Sequence, residues 1–172
     1  MIAKINDQVN AAGGYYLLLI RMKAQERISI GALGELNFRG GYYIYVGSAL
    51  SGLRQRVGRH MRPEKNVHWH IDYLLRRAAI VDVILFPLNH AGAEEELRNG
   101  LLEIIAESGA GLSSAGTAKT ECLIAFATAS HKGISAPAAG FGSSDCRCKS
   151  HLCYSEKKPS GLIRKMKSLQ QG

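Results

Sequence analysis

Two glycine-led runs of aromatic and aliphatic residues constrain this chain more than anything else in it. Gly13-Gly14 opens Tyr15-Tyr16-Leu17-Leu18-Leu19-Ile20, and Gly40-Gly41 opens Tyr42-Tyr43-Ile44-Tyr45-Val46, which ends at Gly47. Aromatic and β-branched side chains fit the extended backbone and paired glycines signal turns, so each run predicts a strand. Between them, Arg27-Ile28-Ser29-Ile30 and Glu35-Leu36-Asn37-Phe38 alternate polar with apolar, with Gly31 and Gly34 at bend positions. A period of two is that of a half-buried strand. Together these segments predict an antiparallel meander.

Helical spacing takes over downstream. Leu53, Val57 and Met61 form one apolar stripe closed by Pro63, while Arg54, Arg56, Arg59 and His60 fall on the other side. A second helix is predicted over 69–77 through Ile71, Leu74 and Leu75, then a buried strand over 80–86 that ends at Pro87. Residues 94–107 form an amphipathic helix through Leu97, Leu101, Ile104 and Ile105. Its leading glutamates complement the positive start of a helix, and Gly109 supplies the stop. Residues 110–119 are small and polar, a flexible connection, and a further helix is expected over 121–129 with Thr120 as its N-cap. Past Lys132 the chain turns Gly/Ser/Pro-rich, then cysteine-bearing, then basic. The expectation is an α+β fold: a small mixed or antiparallel central sheet flanked by helices, with a Cys-bearing C-terminal extension. A lead-in (1–12), a main domain (13–154) and a basic tail (155–172) divide it.

Charge narrows the function. The 172 residues suit one domain and carry a net +8. Residues 51–77 hold seven basic against two acidic residues, as do residues 145–172, whereas residues 91–107 hold five glutamates and one arginine. Two basic zones flanking an acidic one point to a polyanionic partner, DNA first, with Arg54, Arg59, Arg62 and Lys65 as expected contacts. No apolar run approaches the ~18–20 residues of a membrane span, so no membrane partner is expected. The run at 15–20 is stopped by Arg21 and is too short for a signal-peptide core. A cytoplasmic location follows, with the four cysteines reduced or bound to metal.

The order Gly14-Tyr15-Tyr16, then Tyr45-Val46-Gly47-Ser48-Ala49, then Leu53, Arg56 and His60 resembles the GIY-YIG nuclease superfamily. His68-Trp69-His70-Ile71-Asp72-Tyr73 and the later Gly142-Ser143-Ser144-Asp145-Cys146-Arg147-Cys148 are similar to a prokaryotic branch of it, whose members also occur fused to endonuclease III-like glycosylases. The resemblance spans roughly residues 13–154. It implies a metal-dependent endonuclease that hydrolyses DNA phosphodiester bonds, in repair or processing. Carried over, Tyr16 and Tyr45 activate or position water, Arg56 clamps phosphate, and His60 supports the site. His68 fits a second family histidine, with His70 as its rival. Glu121 is the expected ligand of a catalytic Mg2+ or Mn2+; Glu95, Glu96 and Glu103 compete. Two features depart from the family. The 28 residues between Tyr16 and Tyr45 require inserted strands, and the family's late asparagine has no counterpart unless the Gly142-Ser143-Ser144 turn replaces it.

The spacing Cys146-x-Cys148-x-x-His151-x-Cys153 puts four soft-metal ligand types within eight residues, a candidate structural zinc site. Cys153 is absent from the branch pattern, which favours Cys122 beside Cys146, Cys148 and His151. Thiols packed without metal remain the competing reading. For the whole chain the alternative to an enzyme is a non-catalytic nucleic-acid-binding module that assists a repair partner.

Overall fold

The computed structural model describes residues 12–64, 66–111 and 117–170. Its centre is β1 (Gly14–Met22), buried along almost its whole length, as a continuous apolar run requires when both faces of a strand are covered. β1 pairs antiparallel with β4 (Gly41–Ser48) on one side and β5 (Ala79–Pro87) on the other, and β4 pairs with β6 (Leu152–Ser155). The sheet order β5-β1-β4-β6 is antiparallel throughout. β2 (Glu26–Ser29) and β3 (Glu35–Phe38) form a separate hairpin. The expected meander is therefore corrected. The two glycine-led runs pair directly with each other, and the alternating segments between them are the insertion that the 28-residue gap demands.

The strand period sorts side chains into two cores. Tyr15, Leu17 and Leu19 with Ile44 and Val46 pack against α3 (Ala93–Glu107), α4 (Thr120–Ala129) and α5 (Ser160–Ser168). Tyr16, Leu18 and Ile20 with Tyr43 and Tyr45 face α1 (Leu53–Met61), α2 (His70–Leu74), the hairpin and Phe141. Helices flank the sheet, as the α+β expectation holds. α2 is shorter than the predicted 69–77: the helix ends at Leu74, with Leu75 as its C-cap, and 75–77 form a turn.

Two C-terminal elements escape a reading of the sequence. β6 closes one edge of the sheet, and α5 buries Leu162, Ile163 and Met166 in the first core. What reads as a basic tail is thus a structural element, and Lys165 and Lys167 pair with Glu107 and Asp82. Thr120 does not cap α4. It is the first helical residue, and its hydroxyl donates to Glu94 Oε1 (2.6 Å) and accepts from Arg98 Nη1 (3.0 Å). Tyr15 donates to the same Glu94 oxygen at 2.8 Å, and burial followed by that carboxylate pushes its phenol up to about 12. This network ties the start of α4 to α3 and β1. The lead-in up to residue 11 and part of the 110–119 connection (112–116) lie outside the described residues. Among the described residues no helix is long and apolar enough to cross a membrane.

Candidate active site

Register brings the two motif tyrosines together. Tyr16 pairs with Gly47 and Tyr45 with Leu18, so Tyr16 and Tyr45 are diagonal neighbours on one face, ring centroids 6.4 Å apart. Each ring lies against a glycine. A β-carbon at Gly47 would sit 2.4 Å from Tyr16 Cζ and Oη, and one at Gly142, whose φ is +68°, would sit 2.8 Å from Tyr45 Cε2. The glycine of the second motif is there because the first motif's tyrosine occupies the space.

α1 then delivers Arg56 and His60, one turn apart and hence on one face. Tyr16 Oη and His60 Nε2 are 2.8 Å apart, both groups buried. With that nitrogen unprotonated the phenol donates. His60 Nδ1 lies 3.9 Å from Asp72 Oδ1. Asp72 is fully buried and takes both arms of Arg59 at 2.9 Å, plus the backbone N–H groups of His68 and Trp69 at 3.0 Å. Burial pulls the Asp72 pKa up, but these donors outweigh it and hold the carboxyl below its ordinary value. Arg59 also donates to the Asn66 carbonyl and stacks on Trp69, so its half-buried guanidinium is partnered within the protein. Arg56 stacks on the same indole at 4.3 Å.

A cleft of about 260 Å³ opens among these groups, lined by Tyr16, Tyr45, Arg56, His68, His70 and Glu121, with Trp69, Ser144 and Asp145 also on its wall. Glu95, Glu96 and Glu103 are exposed on α3 and do not line it. Of the two histidines, His68 is exposed, and His70 Nδ1 accepts the Gly142 N–H at 3.2 Å. That bond ties the start of the 142–145 turn to α2. Arg54 and Arg62 are exposed on and just after α1, outside the cleft, and Lys65 lies outside the described residues. Burial first, then Tyr45, raises the Tyr16 pKa well above that of a free phenol, while Arg56 opposes the shift. Tyr45 is raised by burial and then by Glu121, again opposed by Arg56.

Sequence reasoning missed Asp72, Trp69 and Asp145. A signal existed for Asp72: an acid three residues after the last non-helical position is where a side chain reaches back to free N–H groups.

A second cluster adjoins the cleft. The ligand atoms of Cys122, Cys146, Cys148 and His151 all lie within 4.8 Å of one another, a set able to hold a metal ion. Burial, then the neighbouring thiols, keep the Cys148 thiol well above its usual range. Cys153 is elsewhere, fully buried in the first core and pushed up to about 12 by burial alone, so Cys122 and not Cys153 completes the cluster.

Fold and site together define an α+β domain with a polar cleft beside its central strands and a thiol–imidazole cluster next to it. The chain belongs to the family described as a domain of unknown function, DUF123, which matches residues 15–112 and 105–171. No curated protein and no solved structure matches it.

Proposed function

We propose that this protein is a metal-dependent endonuclease of GIY-YIG type that hydrolyses DNA phosphodiester bonds. One observation carries the reading: Tyr16, Tyr45, Arg56 and Glu121, drawn from β1, β4, α1 and α4, line one cleft. Neither tyrosine strands nor an arginine-bearing helix would need to converge on a glutamate to build a core.

Phosphodiester hydrolysis needs a deprotonated water, a group to take its proton, and positive charge on the developing phosphorane. Glu121, one-fifth exposed and lining the same cleft as Asp145, offers hard oxygens of the kind Mg2+ or Mn2+ uses. When bound, that cation supplies charge to the phosphate and acidifies a coordinated water. Arg56, held by its stacking on Trp69, clamps the phosphate oxygens. Tyr16 takes the water's proton as it passes its own to His60 Nε2, and Asp72 steadies the imidazolium that forms. The water oxygen joins phosphorus, the ester P–O bond breaks, and the leaving oxygen is protonated at the rim where His68 stands. Neutralising Glu121 removes one of the charges that keep the Tyr16 proton in place.

In the same reading the cluster of three thiols and one imidazole holds zinc, which soft thiolates favour over Mg2+. Free thiols at all four cysteines suit the reducing cytoplasm.

The test is cleavage of nicked, branched and plain duplex DNA by purified protein with Mg2+ or Mn2+, beside Arg56→Ala. Cleavage lost in the variant supports the enzyme. Binding without cleavage under every condition replaces it with the non-catalytic module that assists a repair partner.

A further inference from the structure

His151 stands between the two centres. Its backbone is pinned twice: its N–H donates to the Phe141 carbonyl at 2.8 Å, and its carbonyl accepts the Val46 N–H at 3.0 Å. The ring is 1% exposed. Nε2 faces the cysteines, 3.4 Å from Cys146 Sγ. A tetrahedron built from metal–sulfur and metal–nitrogen bonds of zinc length has an S···N edge of about 3.5 Å, so this edge already has the spacing of a ligand pair. Nδ1 faces the other way, 3.5 Å from Glu121 Oε1, and no hydrogen bond closes there. Glu121 directly precedes Cys122 in the first turn of α4, so the residue that lines the cleft and the residue that joins the cluster are chain neighbours.

We propose that His151 is a positioning residue for Glu121, and that zinc at the cysteine cluster sets its action. The inference rests on the reading of Glu121 as the ligand of the catalytic cation. A neutral imidazole carries one ring proton. Metal on Nε2 leaves Nδ1 as the only place for it, and Nδ1 is the atom that faces the carboxylate. Zinc-loaded His151 is therefore a donor to Glu121 that fixes one carboxylate oxygen and leaves the other turned to the cleft. Without zinc the proton is free to sit on Nε2 beside Cys146, and the Nδ1 lone pair then opposes the Glu121 oxygen. The held backbone fixes where the ring is rooted, and the close packing around a ring this buried opposes its turning Nδ1 away. Zinc thus acts on the cleft without entering it, through one imidazole.

The experiment separates zinc binding from the link to Glu121. His151→Cys offers the metal a fourth thiolate in place of the imidazole and has no N–H for the carboxylate. Zinc per chain by elemental analysis, and Mn2+ affinity by electron paramagnetic resonance, are measured on wild type, His151→Cys and Glu121→Gln. The expected result is stoichiometric zinc in all three, with Mn2+ binding lost in Glu121→Gln and weakened about 10-fold or more in His151→Cys, the usual effect of removing an outer-shell partner. Mn2+ affinity intact in zinc-bound His151→Cys but lost in Glu121→Gln overturns the link and spares the Glu121 reading. Affinity intact in both overturns the Glu121 reading itself. If His151→Cys fails to fold, or holds no zinc because its shorter side chain falls short of the metal, 15N spectra of the zinc-loaded wild type decide. A protonated Nδ1 whose resonance moves in Glu121→Gln but not in Arg56→Ala supports the link; a protonated Nε2, or no response to Glu121→Gln, overturns it.

Discussion

Replacing Gly47 with alanine places a methyl group where Tyr16 already is. The added carbon would lie 2.4 Å from the Tyr16 Cζ and Oη atoms, against an ordinary carbon contact of about 3.5–4 Å. The ring has to move by more than 1 Å or so, and β1 cannot yield, since it is paired on both sides and buried on both faces. Such a shift opens the 2.8 Å contact between Tyr16 Oη and His60 Nε2 beyond hydrogen-bond range. Overpacking costs about 1–3 kcal/mol. A buried hydroxyl left without its partner costs about 1–3 kcal/mol more. A total of about 2–6 kcal/mol lowers the Tm of a domain this size by about 4–24 °C. Misplacing a reacting group by about 1 Å also costs on the order of 10²-fold in rate. Gly58→Ala is the internal control, because nothing lies within 4 Å of a β-carbon there and alanine is the better helix former in α1. Thermal melts and cleavage rates are read on both variants. A Gly47→Ala protein that melts and cuts like wild type refutes the reasoning, for it would mean that Tyr16 does not need the position it occupies.

Arg56→Ala is expected to lose about 10²–10³-fold in cleavage rate with a folded melt, since a charge-stabilising group is removed and the packing lost with it is a stack on partly buried Trp69. Asp72→Asn removes the charge that Arg59 and two N–H groups surround, and destabilises by about 3–5 kcal/mol. Because the folded Asp72 pKa lies below its unfolded value, its contribution is present at neutral pH and is lost as pH falls through the folded pKa; a wild-type acid melt should show that loss and the Asn variant should not. DNA affinity should fall steeply as salt rises, and neutralising exposed Arg54 and Arg62 together should flatten that slope, whereas neutralising Lys165 and Lys167, already paired with Glu107 and Asp82, should change it little.

The parts of the fold that a sequence reading recovers are those where burial is one-sided or complete over several residues. The uniform run of β1 and the four-residue stripe of α1 leave no alternative arrangement of their apolar atoms. β6 was illegible because Leu152-Cys153-Tyr154-Ser155 has no period, being buried on both faces at the sheet edge. α5 was hidden because Leu162, Ile163 and Met166 are spaced among lysines that read as a charged tail. In the site, motif order points to Tyr16, Tyr45 and Arg56 and the family resemblance to Glu121, while the meeting of the two tyrosines depends on the register of β1 on β4 and that of Arg56 and Glu121 on the packing of α1 and α4. Thr120 looked like a cap from its neighbours in sequence, but its partner, Glu94, is 26 residues away. No local rule reports a contact of that span.

The cleft draws each of its walls from a different part of the chain: Tyr16 from β1, Tyr45 from β4, Arg56 from α1, Glu121 from α4, and the 142–145 turn that β6 anchors to β4. The pairings of Tyr16 with Tyr45 and of both with Glu121 are non-local, and such contacts form only after the long loops between them have closed. A chain emerging from the ribosome carries both tyrosines and the arginine well before the carboxylate and the thiols. On the proposed reading it becomes competent against nucleic acid only when residues 121–155 close onto the sheet.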